Sequence, residues 1–366
     1  MTDQDAQGFQ RESMEFLSQL LLGLRNSRRE ELKQKLHGLS QGQFENFLEL
    51  AQLNHVIVRG LAALLETDHE ENGSIAHAKW AQEALDAEKS RIHTAILLLH
   101  EICCAFEDHG HRVVVIKSLD HWPDLGSDLD LYTDSNPKDV CRFMVEHFHA
   151  TIAPRSWGDR LASKWNFLIP GLPEAIEIHM GRLGQTGEQA VIASAIVERS
   201  RRLQICGQTF RVTSIADRLM ISTLQRMYRH FFFRLCDVVD SAQLIETGLI
   251  DYEELHGRAV QAGIWEGVAT YLKIVSDYVK LYRGSGPELP QIVQSAARFG
   301  GEKVYYGNAF LRVPIMPQSA GLYRTQLAGI LKKGELQNGA RLSLLPWLAT
   351  AAVLGQKLTG SDKGIW

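Results

Sequence analysis

The sequence predicts an α+β protein, with a small mixed β-sheet set between helical regions on its N-terminal and C-terminal sides. Three observations carry this. Apolar residues recur with a helical period through most of residues 1–110 and again beyond Ser214. Between those stretches, short runs alternate apolar with polar residues, as in Asp128-Leu129-Asp130-Leu131 and Ala175-Ile176-Glu177-Ile178-His179-Met180. Turn and capping residues separate the runs: Gly126-Ser127, Asn136-Pro137, Gly207 and Ser214.

Composition narrows the classes. With 366 residues, 45% hydrophobic and 22% charged, the chain has the make-up of an ordinary soluble protein with room for two or three small domains. A formal net charge of −4 provides no overall attraction for nucleic acid. The five cysteines are scattered and show no C-x-x-C spacing, which points to reduced thiols rather than a disulfide framework or a zinc site. The polar, acidic first residues do not read as a secretory signal, and Leu342 to Gly355 is too short to span a bilayer. A cytoplasmic protein with no membrane partner is expected.

In chain order, Met14 to Leu24 reads as an apolar helix and Phe44 to Leu65 keeps helical spacing. The charged run Glu66 to Ser74 reads as a loop. Ala76 to Glu107 reads as one long helix on Trp80, Ala84, Ile92, Ile96, Leu99 and Ile102, with Cys103 and Cys104 on its apolar face. Val113 to Ile116 is a buried-strand pattern, and a helix opens at Pro137, where a missing N–H costs little. Ala150 to Ala153, Trp165 to Ile169 and Glu174 to Met180 read as strands, Gln189 to Arg199 as a helix, and Leu203 to Val212 as a hairpin turning at Gly207. Ser214 with Asp217 suits a helix N-terminus. That helical reading extends over Arg226 to Asp237, placing His230, Arg234 and Asp237 on one face, with Phe231 to Phe233 in the core. Arg283 to Pro290 marks a linker. The regions expected are 1–110, helical; 111–213, the α/β core; 214–283, helical; and 291–366, mixed, with strand character at Tyr305 to Val313 and a docking helix at Leu342 to Leu354.

The chemistry centres on Val113 to Tyr132. Asp128 and Asp130, two apart on a strand, face the same side, and adjacent carboxylates of this kind are commonly made tolerable by a hard cation. Glu177, on the later alternating strand, completes three oxygen ligands if that strand lies beside the first. Such a set suits Mg²⁺, whose shell is finished by water and substrate phosphates. His179 shares the polar face of Glu177, as a general base or as a group that orients a carboxylate. Lys117 ends a core strand facing the same cleft, where it can meet a triphosphate.

Lys117-Ser118, Gly126-Ser127-Asp128-Leu129-Asp130-Leu131 and the Glu177 strand resemble the signature of the nucleotidyltransferase superfamily of polymerase-β type, in particular a bacterial branch of it. The resemblance covers Val113 to Ile245. The glycine usual at the first turn is Lys117 or Ser118 here, and Gly-Ser stands directly before the D-x-D strand, so the metal triad matches better than the phosphate turn. The resemblance implies a Mg²⁺-dependent transferase that moves a nucleoside monophosphate from an NTP such as ATP to a hydroxyl and releases pyrophosphate. Asp128, Asp130 and Glu177 would be catalytic metal ligands, and Lys117, Ser118, Ser127 and Arg234 would contact the nucleotide. The acceptor is left open among a small molecule, a protein and an RNA end. A non-catalytic nucleotide-binding or regulatory protein of the same fold is the alternative, and a helical scaffold a third reading.

Overall fold

The computed structural model describes residues 3–23, 38–70, 77–183, 190–307, 309–344 and 347. Among the described residues, four helices come first: α1 (Asp3–Leu22), α2 (Gln41–Leu53), α3 (Ile57–Glu70) and α4 (Ala78–Asp108). The helical run read over Phe44 to Leu65 is thus broken. Asn54 is buried and turned to other segments, and His55 adopts a left-handed φ of 52°, which a continuous helix does not allow. Helix α3 also carries on through Glu70, into the stretch read as a loop; residues 71–76 lie outside the described residues.

The sheet begins directly after α4. β1 (Val113–Val115) leads through a one-turn 3₁₀ helix (Ser118–His121) to β2 (Asp128–Thr133). Then follow α5 (Pro137–Phe148), β3 (Thr151–Ile152), α6 (Trp157–Ala162), β4 (Lys164–Leu168), β5 (Ala175–Met180), α7 (Ala190–Ala193), β6 (Arg201–Ile205) and β7 (Gln208–Val212). Helix α7 is one turn, shorter than the helix read to Arg199, because residues 194–199 form turns; 184–189 lie outside the described residues. The seven strands form one mixed sheet in the order β3-β4-β5-β2-β1-β7-β6. β2 pairs antiparallel with β1 and parallel with β5, so β2 is central and its Leu129 and Leu131 are fully buried. Helix α4 lies against β1 and β7. On α4, Cys103 packs on the core while Cys104 is exposed, so the pair is not wholly on the apolar face.

Ser214 caps α8 (Ile215–Tyr228) by accepting from the Asp217 N–H at 3.2 Å. The helix stops there, which corrects the continuous helix read from Arg226 to Asp237. Phe231 takes a φ of 54°, β8 (Phe232–Phe233) pairs with a later strand, and α9 (Leu235–Glu246) starts afresh with Arg234 as its N-cap. Aromatic residues in sequence favour an extended chain once a partner strand is offered. That partner is β10 (Phe310–Arg312), which also pairs with β9 (Tyr305–Gly307) in a second, three-stranded sheet. Helices α10 (Tyr252–Ala262), α11 (Trp265–Arg283), α12 (Gln291–Ala296) and α13 (Ala320–Lys332) complete the described order. Residues 336–344 are helical; of the docking helix read over Leu342 to Leu354, most lies outside the described residues.

One buried apolar cluster runs from Met14 to Leu322 through sheet and helices alike. Ser18 of α1 and Tyr278 of α11 share a buried hydrogen bond of 2.8 Å, so the first and late helices close on each other. No helix among the described residues is long and apolar enough to cross a membrane.

Candidate functional site

The parallel pairing of β2 with β5 sets the site. Its register places Asp130 beside Glu177 and Asp128 beside Ala175, so three acids from two strands share one sheet face. Asp130, Glu177 and His179 bring ligand-type atoms within 4.8 Å of one another. Asp128 stands outside that inner set, at the exposed start of β2, at the mouth of a polar cavity of about 280 Å³. Lys117, Ser118, Ser127, Asp128, Asp130, Glu177 and Arg234 all line this cavity; His179 lies behind Glu177, buried.

Lys117 is held by the backbone. The Ser118 N–H donates to the Ile116 carbonyl at 2.6 Å across Lys117, whose φ of 60° and ψ of −57° make a tight γ-turn of the rare positive-φ kind. Strain of this sort persists where surrounding contacts over-determine it. Here Ser118 provides them: its hydroxyl accepts from the Asp130 N–H at 2.7 Å and donates to the Asp128 carbonyl at 3.2 Å. Ser118 therefore ties the turn to β2 and is buried, with its hydroxyl spent on the backbone.

The Lys117 ammonium pairs with Asp130 Oδ1 and lies 3.6 Å from Glu177 Oε1. Lys164, at the start of β4, reaches Glu177 Oε2 at 2.8 Å and Asp159 Oδ1 at 2.9 Å. His179 Nε2 lies 2.9 Å from Glu177 Oε1 and 3.6 Å from Asp130 Oδ1, and its Nδ1 is buried with no hydrogen-bond partner. Burial would push the Glu177 carboxyl up, but Lys117, His179 and Lys164 together hold it well below the usual carboxylate range. Asp128 goes the other way: enclosure by the cleft walls and the charges of Asp130 and Glu177 raise it, although water still reaches it.

The donor set fits a hard divalent cation. Among the described residues, Asp130 Oδ1 is buried and has no hydrogen bond in good geometry; it faces the Lys117 ammonium and the His179 ring. Carboxylate oxygens gathered on one face, one of them met by an ammonium and one repelled by its neighbours, could hold such an ion. In the metal-free protein this repulsion costs stability. The folded-state value of Asp128 lies above its unfolded value, so stability falls as pH rises from the ordinary carboxylate range through the raised value. Asp128→Asn is accordingly expected to raise the Tm of the metal-free protein at neutral pH; a lower Tm by circular dichroism would contradict the geometry.

The opposite wall is basic and was not legible in the motif. His55 comes from the turn between α2 and α3, and a side chain on Gly126 would meet its ring at 2.9 Å, so the Gly126-Ser127 turn lies directly against it. Burial, with the charges of Arg234, His121 and Arg226, lowers His55 to about 2, so it is neutral. Arg234 Nε is buried without a hydrogen-bond partner among the described residues. Arg226 Nε, in contrast, lies 2.7 Å from Asp237 Oδ2, joining α8 to α9 rather than pairing within one helix. Phe232 lines the cavity and stacks on Phe310 at 4.3 Å, so only Phe233 of the aromatic run is fully buried. Sequence reading missed His55, His121, Lys164 and Arg226 as cavity residues. Lys164 alone had a signal, since Lys164 and Asn166 alternate with Trp165 and Phe167 on a strand. A second hollow of about 400 Å³, lined by Glu88, Arg91 and Glu174, shares His55, Gly126, Ser127 and Arg234 with the first.

A scan of protein-family models and a search of curated proteins each returned no match for this chain.

Proposed function

We propose that the protein is a Mg²⁺-dependent nucleotidyltransferase that moves a nucleoside monophosphate from an NTP to an acceptor hydroxyl. The observation that carries this is the in-register pairing of Asp130 with Glu177 beneath Asp128, opposite a wall bearing Arg234. Asp128, Asp130 and Glu177 would hold the ion, which when bound neutralises triphosphate charge and makes the acceptor hydroxyl more acidic. Lys117 leaves Asp130 for a phosphate oxygen once the acids have that other counter-charge, and Arg234 meets the phosphates from the facing wall. His179 and Lys164 hold Glu177 in place, and Phe232 offers a face for the base. The acceptor oxygen attacks the α-phosphorus, the bond to the β-phosphate oxygen breaks, pyrophosphate leaves, and the hydroxyl proton goes to water at the open mouth. The hollow beside Ser127, which adjoins the nucleotide cavity, would give the acceptor an approach. Catalysis of this kind is mostly positioning and charge stabilisation, so few residues need take part.

A second reading has one observation in its favour. Lys117 and Lys164 already neutralise the inner acids, as a protein that binds a nucleotide without turnover could retain. One pair of measurements separates the readings: Tm with each NTP, with and without Mg²⁺, and pyrophosphate release from whichever NTP stabilises. Ligand at about 100 times its Kd adds about 2.7 kcal/mol, a rise of a few degrees. A Mg²⁺-dependent rise lost in Asp128→Asn/Asp130→Asn supports the site, and pyrophosphate release supports the transferase. A rise without release favours binding alone. No rise with any NTP would sink both.

A further inference from the structure

Outside the acidic triad, one cluster has ligand chemistry that the proposed reaction does not use. His55, His121 and Cys236 come from three distant segments: the α2–α3 turn, the end of the 3₁₀ helix and the first turn of α9. Their ligand-type atoms lie within 4.8 Å of one another. From this geometry we infer that they form a second metal site, for a zinc-type ion held by two imidazoles and one thiolate.

His121 and Cys236 are already held in place. Asp240 Oδ2 takes His121 Nδ1 at 2.6 Å, which turns Nε2 toward Cys236 Sγ, 3.8 Å away. Asp240 is itself fixed by Arg59, whose Nη1 lies 2.7 Å from Oδ1. A carboxylate on the outer nitrogen of a histidine is the usual support of a metal-binding imidazole. His55 Nδ1 is buried and finds no hydrogen-bond partner among the described residues. Asn54 fastens the two outer segments together: its side chain accepts from the Leu235 N–H at 3.0 Å, and its carbonyl accepts from the Cys236 N–H at 3.3 Å. The sulfur sits in the first turn of α9, where the helix dipole favours a thiolate; burial pushes the thiol up, so the ion itself has to displace the proton.

The donor set chooses the ion. Two nitrogens and a sulfur suit zinc and reject magnesium, and three protein ligands leave a fourth position. His55 and His121 line the polar cavity and Cys236 does not, so the ion would be reached from the cavity side, past the two imidazoles. The order Asp240–His121–Cys236 also resembles the relay of a cysteine nucleophile, but the Cys236 side chain is fully buried and a nucleophile must reach its substrate. Cysteine spacing carried no sign of this site, because its ligands are joined only by the fold.

The test is Co²⁺ titration of the reduced, metal-stripped full chain, followed by displacement with Zn²⁺. The wild type is expected to bind stoichiometrically, with a thiolate-to-cobalt charge-transfer band and tetrahedral d–d bands that Zn²⁺ abolishes. Cys236→Ser should lose the charge-transfer band. His55→Gln and His121→Gln, which keep the thiol, should weaken binding, and Asp240→Asn should weaken it about 10–100-fold. Asp130→Asn should leave the band unchanged, which separates this site from the acidic triad. If Cys236→Ser does not fold, the histidine variants decide. No band in the wild type overturns the inference. So does a band that survives Cys236→Ser and is lost only on replacing the exposed Cys104 or Cys206.

Discussion

Replacing Asp130 by Asn is expected to lower nucleotidyl transfer by at least about 10²–10³-fold, the scale of losing one preorganised electrostatic group. The change is isosteric, and Leu129 and Leu131 keep β2 in the core, so the loss should not come from unfolding. What changes is charge at the centre of the cluster. Asp130 Oδ1 faces Lys117 and His179, and no hydrogen bond in good geometry satisfies it. An amide there holds a divalent cation far less well and presents either a weaker acceptor or an NH₂ group to the Lys117 ammonium. Pyrophosphate release from the stabilising NTP, measured with the Mg²⁺ dependence of Tm, reads the effect. Undiminished release would remove Asp130 from the machinery and leave the in-register pair with Glu177 a structural feature only.

The second large effect concerns the wall facing the acids. Asp237→Ala is expected to cost about 3–5 kcal/mol, the range for stranding one partner of a buried ion pair. Arg226 and Asp237 are 5% and 3% exposed at their side chains, so little water is at hand to replace the lost carboxylate. Burial drags the Arg226 guanidinium down, and Asp237 first, with Cys236 and Tyr271 behind it, more than restores it, so the arginine leans chiefly on this carboxylate. The same carboxylate also accepts from the Arg234 N–H at 2.7 Å, and its loss uncaps α9. Urea denaturation measures the cost. The double change Arg226→Met/Asp237→Leu, which leaves no stranded charge, should recover much of it. A single-variant cost under about 1 kcal/mol would mean that the pair is well solvated.

How much was legible in the sequence depended on distance along the chain. The alternation of Asp128 to Leu131 and of Ala175 to Met180 reports strands and their faces, because a strand's period is local. That β2 and β5 are neighbours, with Asp130 beside Glu177, is a matter of sheet order and had to be assumed. The helix read through Arg226 to Asp237 failed for a related reason. Its residues fit a helical face, but Phe232 and Phe233 found a partner strand about eighty residues on, and pairing overrode local spacing. His55 was invisible as a site residue. In the sequence it is one histidine within an apolar, helix-like stretch, and only the left-handed turn after Asn54 brings its ring against Gly126. The fold class needed none of these long-range facts, whereas half of the cavity wall needed all of them.

The Asn54 clamp has a consequence for biosynthesis. Its side-chain amide also donates to the Ala309 carbonyl at 3.0 Å, so one residue joins the α2–α3 turn, the start of α9 and the tip of the second sheet. A ribosome delivers these pieces in order, and the one that bears Ala309 comes well after β2 and β5. A nascent chain therefore carries the acids of β2 and β5 long before their opposing wall is locked. The wall that faces them is tied down only once synthesis has passed Ala309, so a shorter nascent chain lacks that tie.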